Sequence, residues 1–272
     1  MSSSTSDLRA HFGLTATPFT RELPVRQCWS QPQYDEVRQE LLATIDRRMS
    51  AALVAPAGTG KTTLLRSLRA ALPEARYQVH YVKVTALSKR DFCRELCEAI
   101  GAPPAASYNG LVRRLQERLV VLLEQDSLRP VLIVDEAHDM RPDVLSILRV
   151  LTNFEMDSRL VVSVLLAGQG PLKTMLARQE LESVRRRLAH LATLRLLSRE
   201  EALAYVRHRL SVAGAAGDLF DGPAHDAIYE MTNGNLRAID HVALKGLELA
   251  ARDGKATVGA EYLVAAARKL ML

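Results

Sequence analysis

A parallel-sheet α/β domain followed by a small all-helical domain is the fold class that this sequence predicts. Three observations lead to it. The apolar run Ala51 to Val54 passes through Ala55-Pro56-Ala57-Gly58-Thr59-Gly60-Lys61-Thr62-Thr63 into helical apolar spacing at Leu64, Leu65, Leu68 and Leu72. A second apolar run, Val131 to Val134, ends in Asp135-Glu136, the pattern of a buried parallel strand with a polar tip. After residue 197 strand patterns stop and helical ones continue to the end.

Taken in order, the candidate strands are Ala51 to Ala55, Val79 to Thr85, Val131 to Asp135, Leu160 to Ala167 and Leu191 to Leu196. Helical patterns lie between them near 64–72, 89–100, 108–125, 142–154 and 171–185. Ser88 with Asp91 reads as a capping box for the second of these, and Gly101 before Pro103-Pro104 ends it. Alternating strands and helices imply a parallel sheet covered on both faces. Ser198 and Glu201 form another capping box, opening a helix to about Val212. Further helical patterns run near 223–231, 235–252 and 259–270, broken by Gly217, Asn233-Gly234 and Gly254. The expected division is a flexible tail over 1–10, an α/β nucleotide-binding domain over 11–197 and a helical lid over 198–272.

Composition narrows the class. A chain of 272 residues, 48% hydrophobic and 25% charged, has the make-up of a globular protein with a substantial core. A net charge of +5 permits a nucleic-acid partner without requiring one. Cys28, Cys93 and Cys97 are too few for a disulfide framework, and Cys93 and Cys97 share a helical face with Phe92, Leu96 and Ile100, as core residues do. No apolar stretch reaches membrane-spanning length and the N-terminus is polar, so a cytoplasmic protein without membrane contact is expected.

The loop at 55–63 carries the clearest chemistry. Gly58 and Gly60 let backbone N–H groups turn toward a polyphosphate, with Ala57, Thr59 and Thr63 completing the cradle. Lys61 supplies a slim cation for the terminal phosphates in a chain with 29 arginines and only 7 lysines, and Thr62 is a ligand for Mg²⁺. ATP with Mg²⁺ is therefore the expected ligand. Asp135 would reach the metal through water, and Glu136 would polarise the attacking water. A helicase reading of Asp135-Glu136-Ala137-His138 needs two motor lobes, more than the remaining segments supply.

A phosphate-loop α/β domain followed by a helical lid resembles the AAA+ class of ATPases. That resemblance implies a five-stranded sheet in the order 5-1-4-3-2 and three further roles. Gln169, at the end of strand 160–167, becomes the side chain that orients the attacking water; the competing view is an exposed glutamine in a glycine-rich turn. Arg237 opens a helix, where a cation opposes the helix dipole unless an anion faces it, and becomes the lid arginine that reaches nucleotide. Within Arg185-Arg186-Arg187 the finger entering a neighbouring subunit is placed at Arg187, with Arg186 second; a solvated or nucleic-acid-facing cluster is the alternative.

The combination of Phe12-Gly13-Leu14, Pro18-Phe19, the loop Gly58 to Thr63, the run Val144 to Arg159, Leu166-Ala167-Gly168-Gln169, and Arg199-Glu200-Glu201 through Tyr205 to Leu210 resembles the ATPase core of the ExeA/GspA group. That group is similar to the transposition ATPases TniB, TnsC and MuB. The resemblance adds Pro18 and Phe19 as nucleotide contacts. Secretion-type members carry a membrane span and a peptidoglycan-binding region beyond this core; the chain given ends at Leu272, which suggests the transposition type. The implied function is an ATP-dependent homo-oligomer, hexameric ring or helical filament, that assembles on duplex DNA and recruits or activates a transposase. Lys89, Arg90, Arg113 and Arg114 are the candidate DNA-phosphate contacts, because relatives that bind DNA use this region. Ala55 in place of the first loop glycine, and Val84-Thr85-Ala86 where relatives often carry asparagine, depart from the pattern. The alternatives are a secretion-associated ATPase and a nucleotide-switched interaction protein with little hydrolysis.

Overall fold

The computed structural model describes residues 3–84 and 87–270. In chain order the elements are α1 (Ser3–Phe12), α2 (Pro32–Asp46), β1 (Ser50–Val54), α3 (Lys61–Ala71), β2 (Tyr77–Lys83), α4 (Lys89–Ile100), α5 (Tyr108–Glu124) and β3 (Arg129–Asp135). There follow α6 (Pro142–Leu145), α7 (Ile147–Leu151), β4 (Ser163–Gly168), α8 (Gly170–Leu176), α9 (Glu182–Arg185) and β5 (Leu188–Thr193). The last four helices are α10 (Arg199–Val212), α11 (Gly222–Thr232), α12 (Leu236–Arg252) and α13 (Ala260–Leu270). They form two compact units. One comprises Pro32–Pro56 and Leu64–Leu194; the other comprises the described residues of Met1–Gln31, Ala57–Thr63 and Arg195–Leu272.

The first unit is a five-stranded sheet in the order β2-β3-β4-β1-β5, with every pairing parallel. This is the expected 5-1-4-3-2 order. The central strands β1 and β4 are buried along their whole length, and β3 is buried from Pro130 onward, which is why they read as unbroken apolar runs. Ala52, Val54, Leu132, Val134, Val164 and Leu166 share a single core with residues of α4, α5 and α8, while α2 packs against β1 and β5. Helix α4 starts behind Ser88, whose hydroxyl oxygen accepts from the Asp91 N–H, and ends at Gly101 in the left-handed region. The expected box is only half formed there. The Asp91 carboxylate takes the Ser88 hydroxyl at 2.6 Å, since aspartate is one methylene shorter than the glutamate that reaches back to a backbone N–H.

Several sequence-based boundaries move: β2 begins at Tyr77 rather than Val79, β4 at Ser163 rather than Leu160, and three further elements shift or divide. The single helix expected at 142–154 is two short ones, α6 and α7, divided at Ser146, whose hydroxyl bonds back to the Asp143 carbonyl at 2.6 Å. Beyond it Glu155, Met156 and Asp157 all have positive φ, which no helix tolerates. The helix expected at 171–185 is likewise interrupted, by a 3-10 turn at Gln179–Leu181 between α8 and α9. Strand β5 begins three residues earlier than the leucine pattern suggested; it is an edge strand with alternating exposure, so its apolar signal is weak. Thr85, the expected end of the second strand, and Ala86 lie outside the described residues.

The second unit is helical. Helix α12 buries Ile239, Val242, Ala243, Gly246, Leu247 and Ala250, a one-faced pattern whose burial favours the helix by about 1.5–3 kcal/mol for each large aliphatic side chain. A Cβ at Gly246 would meet Leu263 Cδ2 at 2.7 Å, so its absence lets α12 and α13 approach closely. Helix α10 opens with the complete Ser198–Glu201 capping box. The segment expected as a flexible tail is helical from Ser3 to Phe12 and packs on α12, because Leu8 is an apolar anchor only 2% exposed. Among the described residues no helix is long and apolar enough to cross a membrane.

Candidate functional site

In the helical unit, the phosphate loop adopts the conformation its glycines permit. Gly58 and Gly60 have φ of +75° and +84°, a region costly for any residue with a Cβ. Lys61 follows as the first residue of α3 and is 8% exposed; Thr59 is 1% exposed, and Thr62 is exposed. Ala55, the departure from the glycine pattern, is buried and absent from the positive-φ residues, and its N–H bonds the Gly168 carbonyl at 3.0 Å as a simple extension of β1. The position therefore makes no demand that alanine fails to meet.

The same unit places Arg237 beside this loop. Asn233 and Gly234 are left-handed, with φ of +48° and +74°, and turn the chain into α12. The Arg237 N–H donates to the Gly58 carbonyl at 3.2 Å, and the exposed Arg237 side chain leaves the first turn of the helix. Asn235 was not singled out by sequence. Its Nδ2 donates to the Ala57 carbonyl at 2.8 Å while its Oδ1 accepts from the Ala238 N–H at 3.2 Å. A Cβ on Gly58 would collide with the Asn235 amide, so the loop glycine is needed for this approach as well as for its φ.

Pro18 and Phe19, the expected nucleotide contacts, are both buried. Phe19 has φ of +59°, packs edge-on against Phe220 and lies under the Arg209 guanidinium. Arg209 also donates to the Thr20 carbonyl at 2.6 Å, to the Tyr205 hydroxyl at 2.7 Å and to both Asp240 oxygens at 3.1 and 3.2 Å. Burial pushes the Asp240 carboxyl up to about 6 against the downward pull of Arg209 and Tyr205.

In the sheet unit, the tip of β3 carries the paired carboxylates. Asp135 is 2% exposed and accepts at both oxygens, from the Tyr81 hydroxyl at 2.9 Å and from the Glu136 N–H at 2.8 Å. Tyr81 is 41% exposed as a whole, but loss of water around its hydroxyl first, and then the bond to Asp135, raises the phenol well above its ordinary pKa, so it stays a donor. Glu136 is left-handed, φ +56°, which swings its carboxylate out of the strand direction. His138 Nδ1 stands 3.5 Å from Glu136 Oε2. Tyr81 is a partner that sequence reasoning missed because it lies at no motif spacing, and His138, though part of the Asp135-Glu136-Ala137-His138 run, was given no role of its own.

Gln169 follows β4 and is the N-terminal flanking residue of α8. A Cβ on Gly168 would lie 3.0 Å from Leu172 Cδ2 and 3.1 Å from the His138 backbone nitrogen. The missing side chain brings the turn after Glu136 and the start of α8 together. β4 pairs with both β3 and β1, so the tips bearing Asp135 and Gln169 and the strand that runs into the phosphate loop are neighbours in the sheet.

The remaining candidates are less concentrated. Arg187 makes a fork pair with Asp157, both bonds at 2.7 Å, and its side chain is 24% exposed. Arg186 pairs with Glu182 at 2.7 Å and is 77% exposed. Lys89 faces Asp143 at 3.8 Å, while Arg113 and Arg114 share Glu117 at 3.7 and 3.3 Å. Arg90 is exposed. Exposed pairs of this kind contribute about 0–1 kcal/mol, so a competing phosphate displaces them at little cost.

Comparison with known proteins agrees with the fold. Residues 44–176 match the family model described as "AAA domain". General secretion pathway protein A of Aeromonas hydrophila is 30% identical over 239 residues, covering 87% of this chain; the chain spans 43% of that relative's length. Among solved structures, Cdc6p from Pyrobaculum aerophilum superposes with a TM-score of 0.75 at 16% identity, covering 92% of this chain and 70% of its own. The Aeropyrum pernix ORC1 protein in complex with DNA gives 0.67 at 17% identity, over 91% and 68%. The sheet order, the phosphate loop and the helical C-terminal region together are the AAA+ P-loop fold.

Proposed function

We propose that this chain binds and hydrolyses ATP with Mg²⁺ and uses the nucleotide state to control assembly on duplex DNA. The observation that carries the ATPase reading is the Gly58–Gly60 loop in its two positive-φ turns, with Lys61 at the start of α3 and the Arg237 helix bonded to its carbonyls. Lys61 would neutralise the terminal phosphates. The Thr62 hydroxyl and the Asp135 carboxylate are each a hard oxygen donor of the kind Mg²⁺ takes. Glu136 would accept a proton from the attacking water, and Gln169 would orient that water. Arg187 remains the first finger candidate and Arg186 the second; each would have to exchange two bonds, to Asp157 and to Glu182 respectively, for a neighbouring subunit's nucleotide.

Duplex DNA as partner is supported by the likeness to a structure described as a protein–DNA complex and by the basic helix starts at Lys89-Arg90 and Arg113-Arg114. Regulation of transposition, by holding target DNA for a transposase, is the finer reading, and it rests on the motif resemblance. A second reading, secretion-associated ATPase, is favoured by the identity to General secretion pathway protein A. The two separate in one assay: fluorescence anisotropy of random-sequence duplexes with ATP, ADP and a non-hydrolysable analogue at several salt concentrations. The Glu136→Gln variant, which keeps nucleotide but loses about 10²-fold or more in hydrolysis, should hold DNA longest. Neutralising Lys89, Arg90, Arg113 and Arg114 should flatten the salt dependence by roughly one unit of slope per lost phosphate contact. Identical weak binding in every nucleotide state would reject the DNA reading and leave the secretion one.

A further inference from the structure

Asn235 has two jobs that are seldom combined in one side chain. As the residue before α12 it caps the helix, its Oδ1 accepting from the Ala238 N–H. With the other end of the same amide it takes the Ala57 carbonyl, and two residues on the Arg237 N–H takes the Gly58 carbonyl. Two successive loop carbonyls are therefore drawn toward the start of one helix. In a trans peptide the carbonyl and the following N–H point in opposite directions. Turning the Ala57 and Gly58 carbonyls toward α12 turns the Gly58 and Thr59 N–H groups away from it. That is the orientation in which a loop of this kind presents donors to phosphate.

We propose that Asn235 is a positioning residue for the nucleotide: through one amide it sets the peptide orientation of the phosphate loop and the placement of Arg237, so that loop donors and lid arginine come into register together. The proposal rests on the ATP-binding reading above. Its chemical basis is the asymmetry of the side chain. Serine and aspartate cap a helix as well as asparagine does, but neither supplies the Nδ2 donor that reaches Ala57.

The test is the Asn235→Ser variant, which retains the cap, measured for thermal unfolding and for affinity toward a fluorescent non-hydrolysable ATP analogue and toward ADP. The melting temperature should match that of the parent, whereas analogue affinity should fall about fivefold or more, the effect of one lost hydrogen bond to a loop that must stay oriented. The decisive reading is coupling. Arg237→Ala should reduce the preference for the ATP analogue over ADP less in the Asn235→Ser background than in the parent, because the arginine is already out of register there. An Asn235→Ser protein that binds the analogue as tightly as the parent, or an Arg237→Ala effect of equal size in both backgrounds, overturns the proposal and leaves Asn235 a helix cap. A parent protein that fails to bind the analogue, with Lys61→Ala indistinguishable from it, overturns the ATP-binding reading itself.

Discussion

Helices α4 and α12 open in the same way and meet different surroundings. Each starts behind a capping side chain, Ser88 in one and Asn235 in the other, and each carries cations in its first turn, Lys89-Arg90 and Arg237. A cation there opposes the helix dipole by about 0.3–1 kcal/mol. At α4 the opposition is relieved from within the protein, by Asp143 beside Lys89 at 3.8 Å and by Asp91 in the first turn. At α12 the cap reaches past its own helix to the Ala57 carbonyl, and the helix carries no acidic residue in its first turn. An unfavourable charge is thus a sign of ligand chemistry only when its surroundings leave the anion to be supplied from outside.

Arg237→Ala would break the comparison most sharply. If α12 presents its arginine to nucleotide, hydrolysis should fall by roughly 10²-fold, the cost of one lost donor to developing charge. The paired substitution Lys89→Ala with Arg90→Ala should act on the salt slope of DNA binding instead. Steady-state ATPase rates for the two proteins decide the matter: equal losses would mean that the helix starts do not differ in function. A smaller effect is expected at the tip of β3. Tyr81→Phe removes the donor to Asp135 Oδ2, and a hydrogen bond to a charged group is worth about 1.5–3 kcal/mol, so the Mg²⁺ concentration needed for half-maximal ATPase should rise about tenfold. An unchanged Mg²⁺ requirement would reduce Tyr81 to a packing role.

The smallest effect is on stability and touches α4 alone. His80 on β2 is 8% exposed, and its Nδ1 lies 2.7 Å from the Ala99 carbonyl in the last turn of α4. Burial, aided by Arg118 and Arg69, holds its pKa below the ordinary value of 6.5. The unfolded chain therefore takes up the proton first. The contribution of His80 to stability is full above about pH 6.5 and declines as pH falls through that value toward the lower folded one, by at most about 1.4 kcal/mol per pH unit. Thermal melts at pH 7.5 and 5.5 should show a larger drop for the parent than for His80→Gln, which keeps a donor for Ala99. Parallel drops would assign the acid sensitivity elsewhere.

Much of the sheet was legible because its signals are local. The buried runs at β1, β3 and β4 and the glycine-bearing loop after β1 announce themselves in a few residues each, and α4 matches its pattern at both ends because Ser88 and Gly101 are unambiguous stops. Helix α2 escaped notice although Pro32 sits at its start and Tyr34, Val37, Leu41, Thr44 and Ile45 line its buried face. Its moderate hydrophobicity, with charged residues filling the other positions, hid the period. The loop half of the candidate site was readable for the same reason as the strands. Asn235 and Tyr81 were not, because their partners Ala57 and Asp135 are brought to them by the fold rather than by spacing. Phe19 is a motif residue whose ring contacts, with Phe220 and Arg209, no spacing in the sequence announces.

Gly168 shows what the missing atoms of a site can do. With 3.0 and 3.1 Å from a would-be Cβ to Leu172 and to the His138 backbone, even alanine would have to push its neighbours by a few tenths of an ångström. The turn bearing Glu136 and the helix start bearing Gln169 therefore share one clearance. They behave as parts machined to a common face: a displacement of either is handed to the other, so the separation of the two backbones that carry Glu136 and Gln169 is fixed by a contact that involves neither side chain.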